Sequence, residues 1–88
     1  MINDEEIAHA KRALEGSFRP LVCKAEDWDY KAKMRFKVLD EKGETILEIP
    51  ELVRGDIVNE ARFAELIEIA RNAVRAKGYA LAALDRRS

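Results

Sequence analysis

Along "WDYKAKMRFKV", residues 28–38, apolar or aromatic residues alternate with charged ones. Trp28, Tyr30, Ala32, Met34, Phe36 and Val38 share one parity, and Asp29, Lys31, Lys33, Arg35 and Lys37 the other. A period of two predicts a half-buried strand. The segment before it, "FRPLVCKA", predicts a partner strand. A tight turn at Glu26-Asp27 sets Ala25 against Trp28, Cys23 against Tyr30 and Leu21 against Ala32, matching apolar with apolar on the inward side. Pro20 lacks an amide proton, which marks this first strand as an edge.

The next turn, "DEKG", leads into "ETILEIP". A three-residue loop with a glycine bulge pairs Phe36 with Glu48; a four-residue loop pairs Leu39 with Glu44. Turn chemistry permits both. The hydrophobic pattern favours the second, which sets Val38 against Thr45, Phe36 against Leu47 and Met34 against Ile49. Pro50 then ends the strand.

Helical periodicity flanks the strands. Residues 4–15 carry a thin stripe of Ile7, Ala10 and Leu14, with Asn3 and Glu6 placed for a capping box and Gly16 as the stop. After the connection "ELVRGD", a long helix from about Ile57 to Lys77 carries Phe63, Ile67, Ala70 and Val74 as its stripe. Asp56 or Asn59 caps it and Gly78 ends it. Ile69 breaks the pattern by pointing to the polar side. Residues 79–84 read as a final strand or a helical turn, and 84–88 as a frayed tail. The predicted fold is a single α+β domain, residues 1–88, of order α-β-β-β-α-(β). It is a two-layer sandwich of an antiparallel three-stranded meander, with a possible fourth strand at the C-terminus and both helices on the aromatic face.

Composition narrows the function. Of 88 residues, 48% are hydrophobic and 38% charged, which suits a thin core with much surface to cover. The 16 basic and 17 acidic residues nearly cancel, whereas nucleic-acid and membrane-surface binders usually carry a positive excess. The lone cysteine, Cys23, excludes an internal disulfide, and the acidic start "MINDEE" is unlike a signal peptide. These features predict a cytoplasmic protein with a reduced thiol and no membrane span.

Candidate chemistry is sparse. One histidine, His9, and one cysteine are too few for a metal site of the preferred ligands. Cys23 has inward parity and no histidine near it in sequence, so it reads as a small core residue. Arg54-Gly55-Asp56 reads as a hinge and a helix cap, not an attachment motif. The four glycines stand singly, with no phosphate loop among them. No catalytic residue, cofactor or metal is expected.

The outer face is the feature with a surface to offer. It is expected to carry Phe18, Val22, Lys31, Lys33, Arg35, Lys37 and Ile46, with Lys24 opposite Asp29 and Arg35 opposite Glu48. Scattered apolar groups among partly matched charges suit a protein contact better than a phosphate groove. That face, or the long helix around Ile69, predicts a non-enzymatic interaction or accessory domain that forms a homodimer. The element order is similar to that of double-stranded-RNA-binding domains, which implies the alternative of a nucleic-acid or other anion-binding module using the basic row of the second strand. Those domains begin their second helix with lysines; here the stretch is "GDIVNEARF", with Asp56 and Glu60 where cations should stand. This weighs against nucleic acid as partner.

Overall fold

The computed structural model describes residues 2–28 and 32–82. Tyr30, Asp29, Lys31 and the 84–88 tail, each given a place above, lie outside the described residues. Helix α1 (Asp4–Ser17) leads into strands β1 (Val22–Trp28), β2 (Lys33–Leu39) and β3 (Thr45–Val53), followed by helices α2 (Arg54–Val58) and α3 (Glu60–Ala76). The strands form an open antiparallel meander with β2 in the centre. The order is therefore α-β-β-β-α, with the last helical stretch in two pieces.

Both helix starts follow from local chemistry. The Asn3 side chain accepts from the Glu6 amide while the Glu6 carboxylate accepts from the Asn3 amide, so two otherwise orphaned donors are satisfied. Asn59 accepts from the Arg62 amide and opens α3. Its backbone is extended (φ -83, ψ 108), which separates α2 from α3. "RGD" thus lies in a short helix and not in a hinge, and Asp56 accepts from the Val53 amide. Helix α1 runs past Gly16 to Ser17, whose hydroxyl donates to the Ala13 carbonyl. Gly78, at φ 96, adopts the left-handed conformation that ends α3 at small steric cost.

The core lies between the sheet and the helices. Ile7, Ala10 and Leu14 of α1 and Phe63, Ile67, Ala70 and Val74 of α3 close over Met34, Phe36 and Val38 of β2. Phe18, expected on the outer face, is fully buried, with its ring centre 5.8 Å from that of Phe36. The two extra helical residues explain the difference: Phe18 closes α1 and turns into the core, and the first strand starts only at Val22.

Strand register departs from expectation at both turns. Ala25 pairs with Phe36, eight positions beyond Trp28 (36 against 28), and Cys23 pairs with Val38. The turn at Glu26-Asp27 does not exist, because β1 continues to Trp28. At the second turn Leu39 pairs with Thr45, and Asp40 and Glu44 close the loop through their backbone, with Gly43 at φ 86. This is the three-residue glycine-bulge loop, not the four-residue one. Two register shifts follow. They bring Val38 to Leu47, Phe36 to Ile49 and Met34 to Leu52, so bulges restore the hydrophobic match that the loop alone would spoil. Pro50 falls within the second shift, where a missing amide proton costs least, and β3 runs on to Val53.

The chain after Gly78 forms neither a strand nor a helix in residues 79–82. Tyr79 and Leu81 pack against the core, and the Ala82 amide donates to the Arg19 carbonyl. Among the described residues no helix is long and apolar enough to cross a membrane.

Candidate interaction surface

Extending β1 to Trp28 changes which face the indole occupies. Cys23, Ala25 and Asp27 look toward the helices, as the ion pair between Asp27 and Lys11 of α1 shows at 3.3 Å. Side chains alternate along a strand, so Val22, Lys24, Glu26 and Trp28 look the other way. Trp28 is therefore on the uncovered face with the cations, against the expectation that it lines the core. Met34, Phe36 and Val38 do point inward, so the parity set of the sequence is split, with Trp28 at the end of β1 and these three on β2.

Across this face the residues form rows. Trp28 lies beside Lys33 and Val53; Glu26 lies beside Arg35; Lys24 lies beside Lys37 and Glu48; Val22 lies beside Leu39 and Thr45. The Lys33 ammonium is 5.0 Å from the centre of the Trp28 ring, and the Arg35 guanidinium is 5.8 Å from it. Both cations also hold carboxylates: Lys33 reaches Glu51 at 3.2 Å, and Arg35 donates through Nε to Glu26. The indole Nε1 is buried and has no acceptor among the described residues. Neither the Lys24–Asp29 nor the Arg35–Glu48 pairing expected from the sequence is the cross-strand partnership: Lys24 faces Lys37, and Arg35 faces Glu26. A shallow depression of about 350 Å³ is lined by Lys24, Glu26, Arg35, Phe36, Lys37 and Glu48.

The other expected surface residues fall in different places. Val22 is 52% exposed and stands at the start of β1. Ile46 is half-buried and packs against the core, because the bulge beside it re-aims its side chain. The Ile46 carbonyl accepts from Lys77 Nζ, which ties α3 to the bulge. Ile69 is 57% exposed on α3, away from the sheet face. The candidate residues therefore make no single patch.

Arg71 is the residue that the pattern reading passed over. It is buried on α3, donating from one guanidinium nitrogen to the Ser17 carbonyl and from another to the Ala82 carbonyl at 2.8 Å. Burial lowers its pKa from the ordinary arginine value. The helical wheel carried a signal, since 71 is four residues from Ile67 and three from Val74 and so lies on the buried stripe. The side chain clamps the chain before β1 to the segment after α3.

Cys23 is buried, and desolvation, assisted by the charge of Glu15, pushes its thiol up to about 12. A thiol held in that form is a poor nucleophile at neutral pH. His9 is exposed at a second depression of about 290 Å³, with Glu5, Glu6, Ile57, Val58 and Glu60. Glu6 is engaged there by Arg54, at 3.0 Å, and by the Asn3 amide; these bonds lower its pKa. Among the described residues no cluster of histidine, cysteine and carboxylates is arranged to hold a metal ion. Comparison with protein families, with curated proteins and with solved structures gives no match.

Proposed function

We propose that this chain is a small, non-enzymatic, cytoplasmic interaction or accessory domain that self-associates through its sheet, with residues of the side the helices leave uncovered in the contact. The observation that carries this reading is the placement of Trp28 on that side, with the exposed Val53 in its row and Val22 at the far end of β1. Aromatic residues ringed by charge are enriched in protein contact surfaces. The cations are engaged by Glu26, Glu51 and the Trp28 ring, which leaves less free positive charge for phosphates than their number implies. Sedimentation equilibrium across the micromolar range tests the reading. A mass rising toward two chains supports it, and a single-chain mass throughout contradicts it. Substituting Ile69→Lys distinguishes the two exposed faces, since a sheet-mediated dimer keeps its mass and an α3-mediated one loses it.

One observation favours a second reading. Lys24 and Lys37 are directly opposed, and with Arg35 they line one depression. Like charges placed so repel unless an anion lies between them. Glu26 and Glu48 share that lining and weaken the attraction. A gel shift with duplex RNA at low salt decides it, because binding to phosphates is strongest there.

A further inference from the structure

The two edges of the sheet differ. The β3 edge is interrupted by two register shifts and by Pro50, features that discourage pairing with another strand. The β1 edge has neither: all seven residues, Val22 to Trp28, pair with β2 in unbroken register, and none is proline. Among the described residues no backbone partner lies on the outer side of β1. A regular edge without proline or bulge is a template for a further strand, and its charges, Lys24, Glu26 and the inward Asp27, restrict which strand fits.

We propose that the occupant of this edge is β1 of a second copy of the chain, antiparallel and centred on Ala25; this rests on the self-association read above. A two-fold axis perpendicular to the sheet keeps the helices of both copies on one side, so the register can move only in steps of two residues. With Ala25 opposite its counterpart, Lys24 meets Glu26 of the second copy and Val22 meets Trp28, each pair occurring twice. A step one way opposes Glu26 to Glu26, and a step the other way opposes Lys24 to Lys24. Only the central register is complementary in both charge and apolar contact. It also answers an imbalance within the chain. Lys24 has a lysine opposite it and no ion-pair partner among the described residues, and the second copy supplies the missing carboxylate. Along the joined row Glu48, Lys37 and Lys24 are followed by Glu26 and Arg35 of the second copy, so the adjacent lysines have a carboxylate on either side.

Charge reversal tests the register. In Lys24→Glu, two Lys–Glu pairs across the axis become Glu–Glu, and dimerisation weakens about tenfold or more. The fold of the single chain is not weakened, since residue 24 then faces Lys37 with opposite charge. Glu26→Lys weakens the dimer likewise. A mixture of the two variants restores both pairs, so the mixture forms a heterodimer that neither variant forms with itself. Sedimentation of each variant and of the mixture, with circular dichroism as the check on folding, reads these outcomes. A wild-type dimer that Lys24→Glu leaves intact overturns the β1 register while keeping self-association. A wild type that stays single-chain overturns both. Should Glu26→Lys fail to fold, Lys24→Glu alone still decides between the first two.

Discussion

Lys33 holds its ammonium over the Trp28 ring across the β1–β2 pair. The contact places the aromatic and the cation on one side of the sheet, although alternation within a single strand would have separated them. It answers what the basic parity of β2 is for. Part of that charge covers an indole and part neutralises Glu26 and Glu51, so the row is a mixed surface and not a bare phosphate track.

Trp28→Ala is predicted to cost about 1–2 kcal/mol, the sum of a part-exposed cation–π contact and modest burial. Met34→Ala, which empties a fully buried position, is predicted to cost about 2–5 kcal/mol. Urea unfolding of both variants checks the order. A tryptophan truncation more costly than the methionine one would return the indole to the core.

Arg71→Ala removes a charged donor from the Ser17 and Ala82 carbonyls and leaves both short of a partner. A loss of about 2–3 kcal/mol is expected, with Arg71→Met milder because its stem still packs. Hydrogen exchange at the Ala82 amide, which donates to Arg19, should quicken in the alanine variant before the core amides do.

Cys23 gives the alkaline limb of stability. Its folded pKa, about 12, lies above the unfolded value of 9.0. Above pH 9 the unfolded chain gives up its thiol proton while the folded chain keeps it. Stability is therefore whole below that pH and falls as pH rises from 9 toward 12, by up to about 1.4 kcal/mol per unit from this group. Cys23→Ala should flatten this limb in urea titrations at increasing pH. In the native wild type the thiol should react with a disulfide reagent at pH 8 only as fast as the chain opens.

Glu6 and Asp56 supply the acidic limb. Both carboxylates are held below their ordinary values, Glu6 chiefly by Arg54 and Asp56 chiefly by the Val53 amide, with Arg62 adding to it. Lowered carboxylate values contribute stability that is present above the unfolded pKa and lost as pH falls through the folded one. Arg54→Ala should raise the Glu6 midpoint in a carboxyl NMR titration and leave that of Asp56 in place.

Much of the fold was legible because its signals are local. The Asn3–Glu6 box, the Asn59 cap, the Phe63–Val74 stripe, the Gly78 stop and the exposed Ile69 each rest on spacing within one helix. The misread features depend on where a strand hands over to the next. Apolar matching scored the turn at Glu26-Asp27 well because Cys23 and Ala25 keep their inward parity under an even shift of register. Trp28 changed sides, since inward residues are odd in β1 and even in β2. At β3, bulges allowed a loop that rigid pairing had rejected, and period-two reasoning has no place for an inserted residue. The sheet surface was thus visible as a charged row, but its aromatic member was not.

Trp28 is the single tryptophan, so its emission reports directly on the surface proposed for contact. Emission and iodide quenching should be followed from dilute to concentrated protein alongside the measured mass. Emission should move to shorter wavelength and quenching should fall as the mass doubles, because the second copy lays Val22 against the ring. A mass that doubles while the tryptophan signal stays constant would contradict that contact.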